Sequence, residues 1–242
     1  MRGSCRTLRA LSFTLLVMLT SSRGADAGTF SLDLAGGMVI PTADAGDALQ
    51  GGFSGGVRGQ YWANEQFAIG VEIAGDFPPF DDAAVRELND FTEYFVALEL
   101  LGAGASDIVV DSDLEPSLNV THIGLGLTWR APALGSRTRP FLRFGGGVYN
   151  VRTRLKGTVF ASYDMGGTPV TETEAVDLSE SEGKMGFSVT AGVLREVSPT
   201  MAVGLEAGYH NVFDGLDEET SLQQLRVLLV LSFTGGARRD GL

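Results

Sequence analysis

His122 and His210 are the only histidines in this 242-residue chain. Two imidazoles with a carboxylate such as Glu206 are a minimal set for holding a divalent metal or for acid–base catalysis near neutral pH. No Ser-His-acid spacing accompanies them, so hydrogen bonding at a polar rim is the preferred reading. A second group is charged: Arg58, Arg130, Arg143 and Arg226, with Glu72 and Glu206. Each occupies a polar position in a segment whose alternate residues are apolar. Such charges are either solvated on an open face or packed against one another in a closed interior, and the elements that carry them decide which.

Those elements read at period two, the signature of strands with two unlike faces. Phe30, Leu32, Leu34, Met38 and Ile40 share one parity in the first, and Phe53, Val57 and Tyr61 in the second. Phe67, Ile69, Val71, Ile73 and Phe77 do so in the third, which forms a hairpin with the second across the short stretch 63–66. Further alternating segments cover 122–130, 141–149, 185–193 and 201–210. The eighth, LQQLRVLLVLSF at 222–233, sets Leu225, Val227, Leu229, Leu231 and Phe233 against Gln224, Arg226 and Ser232. The connections run roughly 12, 4, 40, 9, 33, 6 and 10 residues, so the long ones alternate with the short ones. Eight antiparallel strands in up-and-down order, with all long loops at one end, predict a transmembrane β-barrel. Strands of about ten residues tilted by about 40° span about 25 Å, the height of a bilayer's apolar band.

If the apolar parity meets lipid, the charged parity fills a lumen only wide enough for side chains. Buried charges must pair, because desolvation costs several kcal/mol per ion. The six charged residues are therefore expected to form a plug of Arg–Glu pairs. It could act as a gate when a pair rearranges, or stand as a static polar core, and the static core is preferred.

The two longest connections, 78–117 and 151–183, lie outside this pattern. The first holds ten carboxylates from Asp81 to Glu115 against Arg86 alone, and Asp214, Asp217, Glu218 and Glu219 crowd the last connection. These carboxylates could collect divalent cations that bridge anionic headgroups, but solvation and charge repulsion are the simpler role, and no EF-hand spacing is present. Val85, Leu88, Phe91, Phe95 and Leu98 recur at helical spacing, which predicts an amphipathic helix over the barrel mouth or at the membrane interface, in preference to an extended hairpin above the membrane that the β-prone stretch from Tyr94 to Leu101 would also allow.

The N-terminus carries Arg2, Arg6 and Arg9, an apolar run over 11–19, then the small-residue site Ala25-Asp26-Ala27. That is the layout of a secretory signal, with cleavage expected after Ala27. Residues 1–27, 28–233 and 234–242 then form signal, barrel and tail. The only cysteine, Cys5, falls in the signal, so disulfides and thiol chemistry are not expected after cleavage. Setting aside the four arginines and one aspartate of 1–27 leaves 14 basic and 29 acidic residues, a net charge of −15. A nucleic-acid partner is not expected, because phosphate contacts need a basic footprint. Beyond the signal no apolar run is long enough for a membrane-spanning helix.

Taken together, the signal, the eight alternating strands, the Gly-rich inward faces and a terminal strand ending at Phe233 resemble the small eight-stranded outer-membrane barrels typified by the OmpA transmembrane domain and OmpX. The resemblance implies an outer-membrane location with both termini in the periplasm and the long loops outside, amid lipid and lipopolysaccharide. It also implies an assembly signal at Leu229, Leu231 and Phe233 that the outer-membrane insertion machinery reads, although nine residues follow Phe233 here. The implied role is structural or surface-interacting, without bulk transport, enzymatic activity or cofactor, and the surface partner is left unnamed. A narrow channel for small or hydrophobic solutes is the alternative. A lipid-A-modifying enzyme, whose relatives carry rim histidines, is a third.

Overall fold

The computed structural model describes residues 28–42, 45–133, 137–213 and 221–235. The proposed signal, its cleavage site at Ala25 and Ala27, most of the tail and the four acidic residues of the last connection lie outside the described residues. Eight strands close into one antiparallel barrel in sequence order: β1 (Thr29–Thr42), β2 (Gly52–Trp62), β3 (Phe67–Phe77), β4 (Ser106–Arg130), β5 (Thr138–Met165), β6 (Thr168–Ser198), β7 (Met201–Val212) and β8 (Leu222–Gly235). Closure is made by β1 against β8, in register from Phe30↔Gly235 to Thr42↔Gln223. No strand of the ring is left with an open edge in the wall.

The faces are inverted relative to a soluble barrel. Phe53 is 78% exposed and Leu229 66%, whereas Asp76 and Arg226 are at 0% and 1%. Residues of the apolar parity on all eight strands look outward, as the sequence predicts, and the polar parity looks in. Two aromatic belts bound the apolar wall. Phe30, Tyr61, Phe67, Trp129 and Phe233 ring the short-turn end, and Phe53, Phe77, Phe187 and Phe213 ring the other. Phe67 and Phe77 are the two ends of β3, and ten residues of tilted strand separate the belts by about 25 Å. The glycines of the inward faces give room to large neighbours. A Cβ on Gly186 would sit 2.6 Å from the Tyr149 ring, and one on Gly192 2.6 Å from the Phe141 ring.

The long connections differ from the expectation. Apart from the turn Gly166-Gly167, the stretch 151–183 is strand, so β5 and β6 run 28 and 31 residues rather than about ten. They stay paired from Thr138↔Arg195 up to Met165↔Thr168. Both turn glycines have positive φ, +62° and +87°, which is what a two-residue hairpin of matching twist requires. β4 is also long, 25 residues, and its upper half continues along β5. A three-stranded sheet therefore projects past the wall, with about 50 Å of strand in its longest hairpin.

The first excursion does contain a helix. A short turn of helix, α1 (Ala45–Ala48), follows β1, and α2 (Asp82–Gly102) follows β3. Asp81 caps α2 by accepting from the Ala83 backbone N–H. The Asn89 side chain donates to the Leu114 carbonyl (3.2 Å) and accepts from the Leu114 N–H (2.8 Å), while Glu93 accepts from the Ser112 N–H (2.9 Å). These bonds satisfy backbone groups on the edge of β4 where β3 has ended, so α2 stands along the projecting sheet and covers one of its edges. No helix among the described residues is long and apolar enough to cross a membrane.

Candidate functional site

Strand register assembles the charged cluster. Asp33 faces Arg58 across β1 and β2, and Arg58 faces Glu72 across β2 and β3, which puts three charges in one row. Arg58 is its hub. It donates from Nε to Glu72 (2.9 Å), from Nη1 to Asp33 (3.2 Å) and from Nη2 to Glu206 (3.0 Å). Arg143 donates to Glu206 at 3.3 Å and lies 3.6 Å from Glu72. Arg226 is bonded to Asp76 and lies 3.7 Å from Glu72. Three guanidinium groups thus meet four carboxylates inside the lumen. Gln60 adds a donor to Asp33, and paired charges fill this level of the lumen.

Arg130 is not part of this cluster. Its guanidinium lies 3.7 Å above the Trp62 ring at the short-turn end. The expectation that it joins the Arg–Glu plug is corrected by axial position: parity turns Arg130 inward, but it is the last residue of β4, beyond the carboxylates. Asp33 and Asp76 were missing from the sequence-based set although parity marks them. Asp76 shares the face of Glu72 four residues on, and Asp33 shares the face of Ser31.

The two histidines do converge. Their ring centroids are 5.6 Å apart, and Tyr149 stacks on His122 at 4.9 Å while its hydroxyl meets His210 Nδ1 at 3.0 Å. The neighbouring carboxylate is Glu72, 3.5 Å from His122 Nε2, and not Glu206, which is engaged by Arg58 and Arg143. Nor are the histidines at an open rim. Both are buried, at 4% and 3% exposure. Among the described residues no group of three or more His, Cys, Asp or Glu side chains is arranged to hold a metal.

Apolar residues seal the polar interior at both ends. Leu49, Leu118, Val120, Tyr149 and Val212 cluster at the long-connection end, and Phe141, Leu194 and Val230 at the short-turn end. Among the described residues, a void beside Glu72 and His122 and another against Phe141, Leu194 and Val230 are about 10 Å³ each, room for about one water apiece. Below the lower plug a cup of about 190 Å³ opens at the short turns, lined by Trp62, Arg130, Arg139 and Glu196, the last two paired at 3.0 Å.

Outside the wall, the projecting sheet has unlike edges. α2 covers β4, but β6 pairs with β7 only from Gly186↔Val212 downward. Among the described residues its upper stretch, 168–184, therefore keeps one edge without a strand partner. That stretch carries Glu172, Glu174, Asp177, Glu180 and Glu182 against Lys184. Arg154 on β5 reaches across to Asp177 in a two-point pair at 2.8 and 2.9 Å, which holds the Asp177 carboxyl below its usual range.

Comparison with known proteins agrees with this architecture. The family model described as outer membrane protein beta-barrel domain matches residues 11–233. Among solved structures, a major outer membrane protein from Thermus thermophilus aligns with a TM-score of 0.52 at 10% identity, covering 86% of this chain and 100% of that one. Neisserial surface protein A aligns at 0.45 and 15% identity, covering 87% and 99%. The attachment invasion locus protein Ail of Yersinia pestis aligns at 0.47 and 11% identity, covering 86% and 99%. At such identities the Thermus likeness is one of fold. No curated protein is matched by the sequence.

Proposed function

We propose, from the premise that this chain belongs to the outer membrane protein β-barrel family, that it is a sealed barrel of the outer membrane whose work is done by the projecting β4–β6 sheet at the cell surface. The observation that carries the reading is the contrast between a lumen with two voids of about 10 Å³ and a hairpin that outruns the wall by about 15 residues per strand. In this reading the short turns and both termini lie in the periplasm, the sheet stands among and beyond lipopolysaccharide, and Leu229, Leu231 and Phe233 serve the insertion machinery. The open, acidic edge of β6 suits an extended segment that carries basic residues, since a strand added there gains main-chain hydrogen bonds and opposite charge together.

The channel alternative needs a continuous aqueous path, and the Phe141–Leu194–Val230 plug and the Arg58 cluster both stand across it. The enzyme alternative needs substrate at His122 and His210, which lie beneath the Leu49–Val212 cluster. Neither has an opening to support it, and we assign no catalytic residue.

Two measurements test the proposal together. Purified protein in planar bilayers should give no conductance steps, for wild type and for Glu72→Gln alike. Cells displaying the protein should bind an immobilised extended Lys-rich peptide. A variant that joins Arg152 to Ser181 through the Gly166-Gly167 turn should fold normally yet lose that binding. Regular open-channel steps, or undiminished binding by the trimmed variant, would refute it. A lipid-A mass shift on expression, abolished in His122→Ala, would restore the enzyme reading.

A further inference from the structure

The sheet-facing side of α2 is spent on β4, through Asn89, Glu93 and Leu100. Its opposite side is uncovered. Phe91, Tyr94, Phe95, Leu98 and Leu101 are 64%, 67%, 56%, 51% and 61% exposed, and no residue of the helix is fully buried. Phe91, Tyr94, Leu98 and Leu101 follow one another at spacings of three, four and three, the seam of a two-helix pair rather than the broad stripe of a helix packed on a core. Phe95 flanks that seam and stacks with Phe91 at 6.2 Å between ring centroids.

Three occupants are conceivable for such a face, and the observations favour one. A lipid surface is a poor match, because interfacial helices carry Lys and Arg beside their apolar side, whereas this helix has Asp82, Glu87, Asp90, Glu93 and Glu99 with Arg86 alone. Its direction is wrong as well. Pro79 bridges to Ser117 at the barrel rim, Asn89 sits opposite Leu114 and Glu93 opposite Ser112, so α2 climbs along β4 away from the wall. An unrelated protein would need no particular spacing.

A second copy does need one. Two barrels inserted the same way into one membrane can form a closed pair only about a two-fold axis along the membrane normal. Under that axis two copies of a climbing helix meet parallel and in register, each residue of the seam opposite itself. That is the arrangement the three-four spacing serves.

We propose that α2 is the interface of a homodimer in the membrane, made by Phe91, Tyr94, Leu98 and Leu101 of each copy with Phe95 at the flank. The five exposed side chains offer on the order of 600 Å² per copy, taking aromatic side chains at about 200 Å². Two copies together remove roughly 1,200 Å², the lower bound of specific interfaces. Confinement to one plane and one orientation lowers the rotational cost that a soluble pair must meet. Asp90 of one copy faces the Phe95 side of the other rather than a second carboxylate, while Glu87, four residues before Phe91 on the same line, marks the lower end of the apolar seam, where it lies opposite its own copy. This inference rests on membrane insertion and not on the β6 edge, so either can fail without the other.

Cysteine scanning in native outer membranes tests it, with the chain's one natural cysteine, Cys5, lying in the expected signal. Phe91→Cys, Tyr94→Cys, Leu98→Cys and Leu101→Cys should each oxidise to a disulfide-linked pair of twice the chain mass. Arg86→Cys and Glu99→Cys, exposed on other sides of the helix, should stay monomeric. Adding Leu98→Glu to the Leu101→Cys chain should lower the linked fraction about tenfold, by burying an unpaired carboxylate in the seam. Heat-modifiable migration on a detergent gel reports that each variant is folded. Folded variants that give no linked pair, that link equally at positions 86 and 99, that link at only one seam position as an antiparallel crossing would, or that link to a different protein overturn the homodimer.

Discussion

Removing Arg58 should damage the barrel far more than removing Glu206, to which it donates twice, from Nη1 at 3.3 Å and from Nη2 at 3.0 Å. Arg58 is 5% exposed at its side chain and donates to Asp33, Glu72 and Glu206. With the histidines uncounted, three guanidinium and four carboxylate groups leave the cluster one negative charge in excess. Arg58→Met raises that excess to two and strands carboxylates in a space that holds about one water. Breaking a buried charge network from one side costs about 3–5 kcal/mol, or on the order of 10² to 10³ in the unfolding equilibrium. Glu206→Gln brings the excess to zero, and the amide oxygen still accepts from Arg58 or Arg143. Its cost is that of weakened charge-assisted bonds, about 1–3 kcal/mol. Urea unfolding in lipid vesicles, followed by the fluorescence of Trp62 and Trp129, measures both. Arg58→Met should lie about 2 kcal/mol below Glu206→Gln at unchanged denaturant slope. A loss under about 1 kcal/mol for Arg58→Met, or a Glu206→Gln protein as unstable as it, would refute the view that the net charge of the sealed lumen governs stability.

Arg130→Met, at a site outside the cluster, should cost only the stacking on Trp62, about 0.5–1 kcal/mol in the same assay. Gly186→Ala should cost about 1–3 kcal/mol, since its Cβ would meet both the Tyr149 ring and the Asn211 carbonyl at 2.6 Å. The Asp81 carboxyl, which accepts from the Gln50 side chain and the Ala83 N–H, is held below its ordinary value by those bonds. Because the folded value is the lower one, its hold on the start of α2 is complete above the ordinary carboxylate range and is lost as pH falls through the lowered value. Hydrogen exchange at the Ala83 amide, taken relative to its intrinsic rate, should therefore be well protected near neutrality and lose that protection on acidification, and Asp81→Asn should flatten the dependence.

The wall was legible in the sequence because lipid and a filled lumen impose opposite demands on successive residues. A parity error would have turned Arg226 or Asp76 into lipid, so the alternation fixes face and strand count, while the alternating connection lengths indicate the order. Parity carries no axial information, however. It sorts Arg130 and Arg143 onto the same inward side but does not say that the first stacks at the mouth while the second reaches Glu206. It also marks Asp33 and Asp76 as inward, yet their membership in the Arg58 cluster follows from register, which only the closed ring supplies.

The projecting sheet escaped the same reasoning for a different reason. Above the wall no lipid faces the strands, so nothing forces one parity to be apolar, and stretches such as TETEAVDLSESEG read as polar connection. Their strand state depends instead on pairing with a neighbour already fixed by the barrel below and on a two-glycine turn above. β4, with one neighbour fewer than β5, has its edge bonded by α2 through Asn89 and Glu93. One side of the helix is thus engaged by the sheet. Its second side, apolar at seam spacing, has no such duty within the chain, and it is this surplus that gives the homodimer its physical basis.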